Sequence, residues 1–211
     1  MEQDIRDPRQ RVLDAAEALF SERGYTAITL RDIADDLGLK QASLYYHFPE
    51  GKEQLFMVMS QRLFDRHANG LNAAMAAAEP DLHSQLQAAA GWFGSQRPVS
   101  VLGMLHSDMQ SLSAEHTGQL SRMAHLALFT PIRNAFLQAW ERGEAGDFHP
   151  DMVAGSFLWL LDGVNYTHKR DITLNREEMV EQLITMLLDG IRSRPSPAIE
   201  RRALSHQVAT G

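Results

Sequence analysis

The sequence predicts an all-α protein in two parts, a three-helix N-terminal unit and a larger helical C-terminal unit, about nine helices in all. Three observations carry this. Apolar residues recur at i, i+3, i+4 and i+7 in segment after segment, and the alternating apolar–polar runs that mark strands are almost absent. Gly and Pro fall between these segments, where helices stop and start. Residues 29–56 read as two short amphipathic helices joined by a tight turn, Leu37-Gly38-Leu39, and followed by the start of a third.

Each element has its own signals. Residues 1–8 form a loose arm. The first helix opens at Pro8 or Arg9, buries Val12, Leu13, Ala16, Leu19 and Phe20, and ends at Gly24. The second sets Leu30, Ile33, Ala34 and Leu37 in one stripe. Thr29 caps it, and Asp32 stands three residues on, as a capping box requires. Gly38 stops it in the left-handed region, and Leu39 is the apolar turn residue expected to plug the angle. The third helix, 41–47, turns Leu44 and Phe48 inward and Gln41, Ser43, Tyr45 and Tyr46 outward. Pro49 breaks the chain and Gly51 allows a turn.

A long helix over 52–78 follows, with Leu55, Phe56, Val58, Met59, Leu63, Phe64, Leu71 and Met75 as its apolar positions. At roughly 40 Å it is long enough to leave the first unit and enter the second. Gly70 and nearby alanines point to close packing along its later half. Further helices are expected over 82–94, 98–112, 115–143, 151–168 and 176–192. Pro131 should kink or split the third of these near Phe129. Residues 195–211 mix Pro, Ser and charge and read as a poorly ordered tail. The division is therefore 1–52, 53–194 and the tail 195–211.

Two helices so joined form a helix-turn-helix, whose second helix enters the major groove of DNA. The stretch resembles the TetR family of transcriptional repressors. The likeness starts at R-V-L-D-A-A-E-A-L-F-S-E-R-G-Y, residues 11–25. It continues through T-L-R-D-I-A-D-D-L-G and L-Y-Y-H-F and ends in K-E-Q-L. About fifty residues match in order and spacing. The sequence departs from the family at Lys40, where a Ser or Thr often caps the recognition helix, and in the P-E-G-K link, one residue longer than the common form. The helix count also resembles that of the family.

Charge gives DNA binding no help in bulk. The chain carries a formal net charge of −7, and residues 1–60 hold seven basic against eleven acidic side chains. Binding must rest on placement, with basic groups and hydroxyls toward phosphates and acids turned away. The absence of cysteine excludes a disulfide framework and a thiolate metal site and makes a reducing cytosol the natural home. No secretory signal and no membrane span is legible.

Lys40, Gln41, Ala42 and Ser43 occupy the end of the recognition helix that reaches base edges in this motif class. Gln41 suits adenine N6 and N7, Lys40 a guanine or a phosphate, and Ala42 a thymine methyl. Thr29 caps its helix and is a candidate phosphate contact. The resemblance implies that Tyr45, His47 and Lys52 hold the phosphate backbone. Tyr46 replaces a variable position and can reach a base or the sugar-phosphate.

The C-terminal unit is rich in Met, Phe and Trp, and a plain core explains most of them. The resemblance implies that some line a pocket for a small, mainly apolar effector. Its candidates are Trp92, Leu102, Leu105, His106, Met109, Met123, Phe129, Trp159 and Asn165. It also implies that the last two long helices pair with those of a second copy into a four-helix bundle, as a palindromic double-stranded DNA operator requires. The nine histidines show no H-x-x-x-H or H-E-x-x-H spacing, and no catalytic motif is present. No metal, cofactor, enzymatic activity or membrane partner is expected. The function implied is a cytoplasmic, homodimeric repressor released by its effector. Two alternatives stay open: a regulator without a small effector, activating or controlled by a protein partner, and a helical metal sensor or enzyme.

Overall fold

The computed structural model describes residues 7–96, 111–171, 173 and 175–191. These residues form nine α-helices: α1 (Pro8–Arg23), α2 (Leu30–Asp36), α3 (Gln41–His47), α4 (Lys52–Ala77), α5 (Leu82–Ser95), α6 (Ala114–Ala124), α7 (Thr130–Glu141), α8 (Pro150–Arg170) and α9 (Arg176–Ile191). One π turn, His125–Phe129, joins α6 to α7. The expected helix over 98–112, the arm before Asp7 and the tail 195–211 lie outside the described residues, apart from Ser111 and Leu112.

α1 starts where Asp7 accepts a bond from the Arg9 amide (3.1 Å) and Pro8 takes a first-turn position. Thr29 and Asp32 cap α2 reciprocally. α2 ends in a Schellman turn: Gly38 at φ +65° donates to Asp35 O (3.1 Å) and Leu39 N donates to Ala34 O (2.8 Å). The expectation for Leu39 is corrected here. It is an exposed side chain, and Leu37 packs against the core in its place. The six-to-one bond aims the Leu39 backbone inward, which turns its side chain out.

α1, α2, α3 and the first turns of α4 close one small core. Phe20, Tyr25 and Phe56 form an aromatic cluster, with Phe56 edge-on to Phe20 at 5.4 Å and tilted against Tyr25 at 4.7 Å. Leu44, Phe48 and Leu55 are fully buried beside them. α4 thus belongs to both units. Its middle is tied to α1 by charge. Arg62 pairs with Asp14 and donates to Gln10 Oε1 (2.9 Å), and Arg66 reaches the buried Glu17 at 2.6 Å.

The C-terminal helices pack around Leu71, Leu86, Leu120, Phe136, Phe157, Leu161 and Ile184. α5 crosses α4 closely because Gly70 has no side chain: a Cβ there would sit 2.0 Å from the Trp92 ring. The segment expected as one helix over 115–143, in which Pro131 lacks an amide proton, stays helical throughout, with αR backbone at Ala124, His125, Phe129 and Thr130. The Thr130 amide bonds to His125 O, five residues back, so the π turn absorbs the defect. Gly143 at φ +78° ends α7 in a second Schellman turn, with Glu144 N donating to Ala139 O (2.9 Å).

Candidate nucleic-acid interface

α3 is anchored by one side chain. Leu44 is fully buried, and Phe48 just beyond the helix is buried with it. Lys40, Gln41, Ala42, Ser43, Tyr45 and Tyr46 are exposed, Tyr46 at 85%, and His47 is half-buried with its ring edge-on to Tyr46. No carboxylate stands on α3. Lys40 occupies the N-cap without a side-chain bond, since an ammonium has no acceptor to offer the helix amides. The face expected to read DNA is therefore continuous, polar and open.

Around α3 the other candidates take definite positions. The Lys52 ammonium lies 4.0 Å from the centre of the Tyr25 ring, a cation–π contact that holds it at the α3–α4 corner. Gly51, at φ +86°, sits between Lys52 and Tyr45, and the Tyr45 ring passes 3.8 Å from where a Cβ on Gly51 would be. Tyr45 and Lys52 are so brought to one corner. Thr29 is placed differently. Its amide and its hydroxyl both donate to Asp32 Oδ2, at 2.7 and 2.6 Å. A phosphate there must compete with a carboxylate for both donors. Hydrogen bonds from Thr29 hold the Asp32 carboxyl below the usual carboxylate range.

Two residues were not singled out from the sequence. The Arg9 guanidinium lies over the Phe48 ring at 5.3 Å, which puts a cation beside the end of α3. Glu53, in the first turn of α4, accepts from the Ser113 amide (2.9 Å) and lies 2.7 Å from His116 Nδ1. Both pairings join residues far apart in sequence, so no local signal reveals them. The placement of acids also resolves: Asp14, Glu17, Asp32 and Glu53 are engaged within the protein.

The effector candidates are less convergent. Leu102, Leu105, His106 and Met109 lie outside the described residues. Trp92 is wedged between α4 and α5, where its Nε1–H donates to His67 Nδ1 (3.4 Å). Met123 is half-buried against the core. Phe129 stacks on His125 at 6.0 Å and reaches to Gly155. Trp159 is 48% exposed on the outer side of α8. Asn165 Oδ1 accepts from Arg176 Nε (2.9 Å). A cleft of about 640 Å³ lies between α5, α8 and α9, lined by Gln87, Gly91, Gly94, His168, Asn175, Arg176, Glu177 and Val180. None of the five placed candidates lines it, and Asn165 touches it only through Arg176. No group of three His, Asp or Glu side chains that could hold a metal ion occurs among the described residues. No described helix is long and apolar enough to cross a membrane.

Residues 12–59 match the family model described as bacterial regulatory proteins, tetR family. The chain is similar to the HTH-type transcriptional regulator LmrA of Bacillus subtilis, 49% identical over 49 residues. It is also similar to IcaR of Staphylococcus epidermidis, a negative transcriptional regulator of the icaADBC biofilm operon, 39% identical over 57 residues. These matches span 23% and 27% of this chain and only 26% and 30% of the two relatives. The likeness of fold is wider. A solved structure of AibR, in complex with isovaleryl coenzyme A and operator DNA, superposes with a TM-score of 0.72. That match covers 86% of this chain and 98% of AibR at 22% identity.

Proposed function

We propose that this chain, which belongs to the TetR family of bacterial regulatory proteins, is a homodimeric transcriptional repressor that a small, mainly apolar effector releases from its operator. One observation carries the DNA-binding part: α3 spends a single residue, Leu44, on the core and offers every other position of its first turn and a half to the outside. A seven-residue helix so placed is short enough to lie in a major groove with its N-terminal residues on base edges. Gln41, Lys40, Ala42, Ser43 and Tyr46 read the bases in this account. Tyr45, His47, Lys52 and Arg9 hold the backbone and set the register.

Repression and release rest on the relatives and on the lever. IcaR is a negative regulator, and AibR combines an acyl-coenzyme A ligand with operator DNA on the same fold. Among the described helices, α4 alone runs from the N-terminal core into the C-terminal helices. A ligand that binds one tilt of α4 better than another shifts the population toward recognition helices wrongly spaced for successive major grooves, about 34–36 Å apart. The cytoplasm, where the DNA is, is the expected compartment.

The test has two parts. Random duplexes selected on the purified protein should yield a palindrome with half-sites about one helical turn apart. A thermal-shift screen over diverse apolar compounds should then find one that raises the melting temperature and, in a gel-shift assay, frees the selected duplex. Failure to enrich any sequence overturns the DNA reading. A compound that stabilises the protein and leaves the complex intact overturns the release.

A further inference from the structure

Two polar joints meet α4, and they differ in kind. The first lies at mid-helix. Arg62 and Arg66 take hold of Gln10, Asp14 and the buried Glu17 of α1 through several bonds, which makes the DNA-binding core and the middle of α4 one body. The second lies about nine residues, or about 14 Å, nearer the recognition helix. It consists of one carboxylate. Glu53 accepts the Ser113 amide at 2.9 Å and lies 2.7 Å from His116 Nδ1, both at the N-terminus of α6. The Ser113 hydroxyl meanwhile caps α6 by accepting from the His116 amide (3.3 Å). The cap leaves the Ser113 amide and the His116 ring turned to the same carboxylate.

We propose that Glu53, through Ser113 and His116, is the positioning contact that sets the angle of the recognition helix relative to the C-terminal helices. The account rests on the lever described under the proposed function. Glu53 follows Lys52 and Gly51, the residues that place the α3–α4 corner, so a shift at Glu53 is felt first at the DNA-facing surface. A carboxylate at a helix N-terminus is electrostatically favoured. The Ser113 amide, and next the His116 ring, hold its pKa below the usual carboxylate range. Glu53 and His116 are each about one third exposed. Water can therefore replace these bonds at small cost, whereas Glu17 has little access to water. A contact of this kind holds one tilt and gives way to a modest push from the C-terminal helices.

The sequence has no cysteine, so two introduced cysteines carry the only spin labels. Tyr46→Cys marks α3 and Gln138→Cys marks α7, both at exposed positions. Mixing labelled chain into an excess of unlabelled chain leaves the intrachain distance as the one measured, in a monomer or a dimer. The expected result is one narrow distance distribution that Glu53→Ala and His116→Ala both broaden, with Glu53→Gln between because it keeps an acceptor for Ser113. Glu53→Ala should also weaken binding to the duplex selected by the unsubstituted chain about tenfold. Identical distributions in the labelled chain with Glu53→Ala, with His116→Ala and with neither overturn the proposal. A broadened distance with unchanged affinity upholds the joint and removes the lever.

Discussion

Gln41 and Lys52 are held differently: Gln41 is exposed at the start of α3, and Lys52 is pinned at the α3–α4 corner by the Tyr25 ring. Gln41→Ala should change the bases preferred at one position of a selected duplex, measured by repeating the selection with the variant. Unchanged preference with weaker binding would place Gln41 on the backbone. Lys52→Ala should weaken all duplexes alike and lower the slope of log affinity against log salt by about one. His67 gives a prediction about stability. Burial, and next the Arg66 charge, push its pKa down to about 4, against a small opposing pull from Glu17. Between pH 6.5 and 4 the unfolded chain therefore holds a proton that the folded chain refuses. Stability falls as pH drops through that window, by on the order of 3 kcal/mol at its foot. Urea melts of His67→Gln should lose that part of the slope. At this scale the sequence showed what was local. The Thr29–Asp32 box was legible because its partners are three residues apart. The seat of Lys52 on Tyr25 and the grip of Glu53 on Ser113 were not, since each needs the chain to fold back first.

Between elements, a missing side chain decides the approach. α4 and α5 meet at Gly70, with the Trp92 ring laid on its backbone. Gly70→Ala puts a methyl 2.0 Å from that ring, and Trp92 is too rigid to yield without moving α5. The variant should lose about 1–3 kcal/mol, seen as a lower melting temperature, and shift its tryptophan emission as Trp92 leaves His67. An unchanged melting point would mean that α5 is loosely seated. Sequence reasoning anticipated close packing near Gly70 but not its partner, because nothing in a helical pattern says which neighbour fills a gap. The irregularity near Phe129 was legible for a chemical reason, the missing proton of Pro131. Its form was not. A kink and a π turn both satisfy the stranded carbonyls, and packing of Phe129 toward Gly155 belongs to the turn that formed. The pocket is the weakest correspondence. Apolar composition marked Trp92 and Trp159 alike, yet one is wedged between helices and the other faces outward.

For the whole molecule, the outer side of α8 is the telling surface. Met152, Trp159 and Tyr166 follow one another at seven-residue steps, and their exposures are 62%, 48% and 61%. Seven residues are two helical turns, so the three form one line along the helix. Met186 of α9 adds a fourth large apolar group, at 59% exposure. Leu160 and Leu161 are neighbours in the sequence and equally apolar. The structure divides them, Leu160 outward and Leu161 inward, and only that division separates an exposed apolar face from the core. Under the proposed function, a chain of net charge −7 with one short recognition helix needs a second copy to supply affinity through effective concentration. Trp159→Asp sets a charge in the middle of the line. It should raise the dimer dissociation constant about 30-fold or more, the effect of losing a central aromatic anchor, as read by sedimentation at micromolar concentration. Binding to a full palindrome should fall with it, while binding to a single half-site, being the work of one α3, stays the same. An unsubstituted chain that sediments as a monomer would remove the two-fold operator from the account, and a Trp159→Asp variant that stays dimeric would move the interface to another face.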